Sequence, residues 1–150
     1  MKETLLTVLE NTRLADGIYR LRLAGDTSAI TAPGQFVNLK LSGFFLRRPI
    51  SVCDWENGEV TLIYKVLGHG TEAMTGMAVG TALDVLTGLG NGFDLSRSGE
   101  HPLLVGGGVG IPPLYGLAKR LTAQGKRVTA VLGFNRKSEI FLAEEFRALG

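Results

Sequence analysis

The sequence predicts a fold in two parts: an N-terminal six-stranded antiparallel β-barrel, followed by the first part of a parallel α/β domain. Three observations carry this prediction. Between residues 4 and 95, apolar side chains alternate with polar ones in short segments, as on strands with one buried face. After residue 97 the pattern becomes strand, glycine loop, helix, strand, helix, which is how a parallel sheet with helical crossovers begins. Glycine supplies 21 of the 150 residues, about twice its ordinary 7% share, in clusters that have no three-residue period. Clustered glycine points to backbone that approaches a ligand closely.

In the first part, Val37, Leu39 and Leu41 alternate, and so do Val60, Leu62, Tyr64 and Val66. Ala15-Asp16-Gly17, Pro33-Gly34, Ser42-Gly43 and Glu56-Asn57-Gly58 supply the turns between such segments. A total of about six strands suits a small closed barrel. One short helix interrupts them, opened by Gly70 and closed by Gly76. The grammar changes between Leu95 and Gly99, which divides the chain into residues 1–97 and 98–150. Leu103, Leu104 and Val105 then form a brief strand. A glycine loop over residues 106–113 leads into a helix carrying Leu114, Leu117, Ala118 and Leu121 at helical spacing, which ends at Gly125. A second buried strand is expected over 128–134, and a last helical segment includes Phe146 and Leu149. Two strands are fewer than the five or six of a doubly wound sheet. The second domain is therefore expected to be truncated at Gly150.

Composition excludes several classes of function. Sixteen Lys and Arg against fourteen Asp and Glu leave +2, too small an excess for a nucleic-acid-binding surface. With 45% hydrophobic and 20% charged residues, the chain is globular rather than disordered. No secretory signal follows Met1-Lys2-Glu3. The uncharged run over 102–118 falls short of the roughly 20 apolar residues that span a bilayer, so no membrane partner is expected. Cys53 is the single cysteine. It excludes an internal disulfide, cannot supply the roughly four ligands of an iron–sulfur cluster, and fits a reducing cytoplasm. No residue is expected to ligate a metal.

Three segments could carry chemistry. The loop Gly106-Gly107-Gly108-Val109-Gly110 lies between a strand and a helix, where glycines let backbone approach a pyrophosphate and free N–H groups and the helix dipole favour its charge. It departs from G-x-G-x-x-G, because Ile111 stands at the third glycine position. Pro112 and Pro113 suit the first helical turn. A tight turn without ligand is the alternative. In Arg48-Pro49-Ile50-Ser51, the arginine offers a fork of donors to a phosphate, and the serine hydroxyl suits a ring nitrogen that changes protonation. An extended chain places these two on opposite faces unless Pro49 bends it. The alternative is a basic strand end guarded by proline. Gly70-Thr71 opens the short helix and could hold a second phosphate, or could simply cap the helix. His69 and His101 stand alone, and Cys53, followed by Asp54 and Glu56, reads as structural.

Together with Pro33-Gly34-Gln35-Phe36-Val37, Ile63-Tyr64-Lys65 and Leu89-Gly90-Asn91-Gly92-Phe93, these segments resemble, in order and spacing, the flavin reductase superfamily typified by ferredoxin–NADP reductase. Within it they look most like the electron-transfer subunits of NAD-dependent, class B dihydroorotate dehydrogenase. The resemblance implies a flavoprotein oxidoreductase whose barrel binds FAD and whose α/β domain binds NAD. Arg48, Pro49, Ile50 and Ser51 would hold the flavin, with Arg48 toward its phosphates and Ser51 as the catalytic residue at its reactive edge. Ile63, Tyr64 and Lys65 would flank it, Gly70 and Thr71 would hold its pyrophosphate, and Gly106, Gly107, Gly108, Val109 and Gly110 would meet NADH. Basic residues in Asn135-Arg136-Lys137 could instead favour NADP; the resemblance implies NADH. The partner it implies is an FMN-containing dihydroorotate dehydrogenase catalytic subunit, in a heterotetramer serving pyrimidine synthesis.

Two departures stand out. Thr87-Gly88-Leu89-Gly90 replaces a frequent Gly-Pro-Leu-Gly and should alter that turn. The family's [2Fe–2S] cysteine cluster has no counterpart here, so a cluster is expected only in a longer chain, and this chain is expected to bind NADH weakly and to deliver no electrons to a partner. A reductase serving ferredoxin or a hydrogenase shares the same motifs, and a non-catalytic β-barrel interaction module is the reading from another class.

Overall fold

A computed structural model describes residues 1–150. Six strands come first: β1 (Lys2–Ala15), β2 (Ile18–Ala24), β3 (Phe36–Leu39), β4 (Arg48–Glu56), β5 (Glu59–Lys65) and, after helix α1 (His69–Thr75), β6 (Ala82–Leu89). They close in the order β1-β2-β5-β4-β3-β6, with every neighbouring pair antiparallel. Closure satisfies the strand edges that an open sheet would leave unpaired. The alternating residues read from the sequence fill the interior: Val37, Leu39, Val60 and Leu62 are fully buried beside Leu6, Val8, Leu21 and Leu23. Helix α1 plugs one end with Met74, which is fully buried.

β1 serves two neighbours, pairing with β6 from Lys2 to Thr7 and with β2 from Thr7 to Ala15. Its register slips between Val8 and Glu10, so that one extra residue, Leu9, reverses the inside-outside alternation beyond it. A second irregularity separates Phe36 from Asn38 in the β3–β6 ladder. Opposite it, Gly88 has φ of +71°, a value proline cannot adopt. The segment after β6 then crosses the loop before β3: Phe93 N–H donates to Pro33 C=O at 2.7 Å, and the Gln35 amide donates to Gly90 C=O at 3.1 Å.

The second part contains β7 (Leu103–Gly107), α2 (Ile111–Ala123), β8 (Thr129–Gly133) and α3 (Ala143–Ala148). β7 and β8 pair in parallel, from Leu103↔Thr129 to Gly107↔Gly133. Two details differ from the sequence expectation. Gly106 and Gly107 belong to the strand, so the loop proper is Gly108–Gly110. The strand expected to be buried at 128–134 is covered on one face only: Val131 is 51% exposed, as are its neighbours Leu103 and Val105 on β7 at 62% and 66%. The helices cover one side of this pair and nothing covers the other.

Helix α2 rests directly on the barrel. A Cβ at Gly116 would lie 2.6 Å from the Cys53 carbonyl oxygen, so the helix backbone touches the strand backbone. Around that contact, Asp54 accepts from Lys119 at 2.7 Å and from Arg120 at 3.3 Å, and the Arg120 guanidinium sits 3.5 Å from the Trp55 ring centroid. A separate apolar cluster of Ile18, Cys53 and Ile63 from the barrel with Ile111, Phe141 and Leu142 fills the junction. No helix is long and apolar enough to cross a membrane.

Candidate functional site

β4 begins at Arg48 and continues without a break through Pro49, Ile50 and Ser51. Pro49 therefore does not bend the chain, and alternation decides where the side chains go. Ile50 and Val52 pack on the barrel interior. Arg48 shares their side at the barrel's mouth, and Ser51 projects from the opposite, outer face.

Arg48 is held from two directions. Its guanidinium lies 5.1 Å from the centroid of the Phe44 ring, and it donates one hydrogen bond to the Leu46 carbonyl. A Cβ at Gly70 would overlap the guanidinium, so a larger residue there would push Arg48 out of its present place. No carboxylate pairs with Arg48, and most of its donors stay free. Arg47, one residue earlier, behaves differently. It bridges to Asp84 at 3.0 Å and Glu3 at 3.2 Å and donates to the carbonyls of Asn38 and Asp84. Arg47 locks β3 to β6, and Arg48 is the arginine left for a ligand.

The other residues expected at the site separate into three groups. Ser51 is half-buried and Lys65, at the end of β5, is half-buried; neither side chain has a hydrogen-bond partner within the chain. Ile63 points outward under Ile111, and β5 lies against the Gly108–Gly110 turn. Tyr64 points the other way. Its ring is 1% exposed in the barrel interior, stacked on Tyr19 at 5.7 Å, and its hydroxyl donates to Asn11 Oδ1 at 2.9 Å. Toward a ligand on the outer face, Tyr64 offers backbone only. Thr71 is also engaged: its Oγ1 accepts from the Leu67 and Gly68 N–H groups and donates to the Gly68 carbonyl. That hydroxyl shapes the loop into α1 and is not free for a phosphate.

The glycine loop brings backbone rather than side chains. Nothing lies within 4 Å of a Cβ built at Gly108 or Gly110, and Val109 is 43% exposed, so the loop opens onto solvent beside β5. The expected row of free N–H groups at the helix start is shorter than anticipated. Ile111 N–H is bonded to the Gly108 carbonyl, and Pro112 and Pro113 have no N–H at all. Anion contacts here fall to the loop itself.

The arrangement fits a flavin nucleotide. A free guanidinium held over a glycine suits phosphate oxygens. A free hydroxyl and a free ammonium stand on the outer face of β4 and β5, and the glycine turn lies against β5. The chain does not fit an iron–sulfur cluster. Cys53 is 2% exposed, and burial first, then the Asp54 charge, pushes its thiol up to about 12, which disfavours the thiolate a metal needs. No group of three or more His, Cys, Asp or Glu could hold a metal ion.

Comparison with known proteins agrees with this geometry. No protein-family model matches the chain. It is 46% identical, over its whole length, to the dihydroorotate dehydrogenase B (NAD(+)) electron transfer subunit of Bacillus pumilus, covering 61% of that protein. It is 42% identical to the Fusobacterium nucleatum subunit of the same name, with 96% of this chain and 59% of that one aligned. Among solved structures, an NADH-dependent reduced ferredoxin–NADP oxidoreductase superimposes with a TM-score of 0.86 at 31% identity, over 97% of this chain and 54% of that one. The Amycolatopsis cytochrome P450 reductase GcoB shares the fold, with a TM-score of 0.88 at 24% identity, over 99% of this chain and 48% of that one. The chain spans about 61% of the length of the curated relatives it matches. With that likeness along the sequence and the barrel, arginine and glycine turn in the places described, the chain is related over its whole length to the dihydroorotate dehydrogenase B electron-transfer subunits and has the fold of the ferredoxin–NADP reductase-like flavoproteins.

Proposed function

We propose that this chain is the FAD- and NAD-binding portion of an oxidoreductase electron-transfer subunit. Residues 1–97 form its FAD-binding barrel and residues 98–150 the beginning of its NAD-binding domain. The observation that carries the reading is the free Arg48 guanidinium seated against Gly70, around the strand from a free Ser51 and a glycine turn. FAD, when bound, supplies the redox chemistry: it takes a hydride from NADH and releases electrons singly.

The chain's residues bind and orient. Arg48 neutralises phosphate charge at the barrel mouth, with Gly70 leaving it room. The outer face of β4 and β5 presents Ser51 Oγ and Lys65 Nζ, while the Ile63 side chain, covered by Ile111, leaves only its backbone to that face. The Ser51 hydroxyl donates a hydrogen bond toward the ring atom whose protonation changes. The Gly106, Gly107, Gly108, Val109 and Gly110 segment, fixed by α2 on the barrel, offers backbone to the nicotinamide nucleotide on the same side as Ser51. Replacing Ser51 by Ala should therefore slow NADH-dependent flavin reduction by about 100-fold, the low end for loss of a positioned proton donor, while FAD affinity changes less. Anaerobic stopped-flow reduction together with FAD titration measures both. Equal losses in the two would remove Ser51 from the chemistry.

The proposed electron acceptor is the FMN-containing dihydroorotate dehydrogenase catalytic subunit, in a heterotetramer of the cytoplasm that serves pyrimidine synthesis. The names of the curated relatives support that partner. The proposed donor is NADH. Arg136 and Lys137 are exposed just beyond β8, and basic residues in a surface turn are usually solvated rather than bound. Stopped-flow comparison should show faster reduction by NADH than by NADPH. A clear preference for NADPH would make Arg136 and Lys137 a 2′-phosphate site.

A further inference from the structure

Asn11 is used completely, although nothing in the sequence around it on β1 marks it out. Its amide Nδ2 donates to two carbonyls at the end of α1, Met74 at 2.7 Å and Met77 at 3.2 Å, and its Oδ1 accepts from the Tyr64 hydroxyl at 2.9 Å. The amide can sit only one way round, because carbonyls accept and never donate. Strict alternation from Leu6 and Val8 would turn Asn11 outward. The register slip at Leu9 brings it inward, opposite Leu21 on β2.

Helix α1 is seven residues long, and a helix so short has little stability of its own. Its C-terminal carbonyls need donors from elsewhere. Within the segment, Thr75 Oγ1 donates to the Glu72 carbonyl, the Gly76 N–H to that of Ala73 and the Met77 N–H to that of Met74; Asn11 adds a tie from a strand. The same side chain ties β5 through Tyr64, one residue from Ile63 and one from Lys65. At its other end α1 carries Gly70, which lies against the Arg48 guanidinium, where a Cβ would displace it. A shift of α1 along or away from the barrel would either open that contact or displace the Arg48 guanidinium.

We infer that Asn11 is a positioning residue of the FAD site: it pins α1 to β1 and β5 and thereby holds Gly70 against the Arg48 guanidinium. This rests on the FAD reading of Arg48 given above. The residue touches neither the cofactor nor the reacting atoms, and its effect is transmitted through α1.

The test uses the 150-residue chain, its Asn11→Ala, Asn11→Asp and Tyr64→Phe variants, FAD titration by fluorescence, and amide hydrogen exchange. Asn11→Asp keeps the size of the side chain but sets a carboxylate against two carbonyls. Both Asn11 variants should bind FAD about 10-fold or more weakly, the equivalent of losing two ordinary hydrogen bonds. Amides 72–77 should lose exchange protection, while those of β2 and β5 keep theirs. Tyr64→Phe retains both Nδ2 bonds and should lose only a few-fold. Tyr64→Phe also covers the case in which an Asn11 variant does not fold. Wild-type FAD affinity in the folded Asn11 variants would overturn the inference, as would loss of protection spread evenly over the barrel, or a Tyr64→Phe loss as large as that of Asn11→Asp. Absence of FAD binding by the unaltered chain would instead overturn the FAD reading itself.

Discussion

Arg48→Ala should lower FAD affinity by about 10- to 150-fold, the equivalent of one charge-assisted contact worth about 1.5–3 kcal/mol. The guanidinium has no carboxylate partner, donates once to the Leu46 carbonyl, and is held in place by Phe44 and Gly70. Its removal therefore breaks no ion pair and should leave the unfolding temperature nearly unchanged. Arg47→Ala provides the contrast. That side chain is committed to Asp84 and Glu3 and to the carbonyls of Asn38 and Asp84, so its loss should weaken the β3–β6 closure more than FAD binding. Titration of both variants with FAD, followed by thermal unfolding, separates the two roles. Equal FAD affinities in Arg48→Ala and the unaltered chain would remove Arg48 from the phosphate site.

Gly116→Val should separate the two halves of the site. The first new carbon would sit 2.6 Å from the backbone oxygen of Cys53, and backbone cannot rotate away as a side chain would. α2 must lift, loosening the Asp54 contacts with Lys119 and Arg120 and the Ile63–Ile111 cluster. Overpacking of this kind costs about 1–3 kcal/mol. The larger effect should be functional. The glycine turn is carried by the start of α2, and a displacement of about 1 Å at reacting atoms can cost about 100-fold in rate. Reduction by NADH should fall about that much while the barrel still binds FAD. Unchanged reduction in a folded variant would show that the glycine turn does not depend on α2 for its position.

The barrel was legible because its strands have one buried face and the period-two pattern survives closure: Val37, Leu39, Val60 and Leu62 all lie inside. The parallel β7–β8 pair and the helix between them followed from strand, glycine and helix signals in order. Burial of β8 was overestimated, since an apolar run such as 128–134 reads the same whether one face or both are covered. Tyr64 was grouped with Ile63 and Lys65 as flanking the ligand, yet alternation alone puts its ring on the opposite face. Asn11 was missed for a related reason. A single extra residue at Leu9 reverses the inside-outside rule, and nothing in the residue types announces it. The difference between Arg47 and Arg48 was also hidden, because their partners, Asp84 and Gly70, lie more than twenty residues away in sequence.

The central claim is that the barrel holds FAD through Arg48 at its mouth, around the strand from Ser51 and the glycine turn. The most direct measurement is the visible absorption spectrum of the 150-residue chain after incubation with FAD and removal of free cofactor. The account predicts a flavin spectrum at close to one FAD per chain, lost in large part from Arg48→Ala under the same treatment. A folded chain that emerges colourless, or one whose bound flavin is indifferent to Arg48, would contradict it.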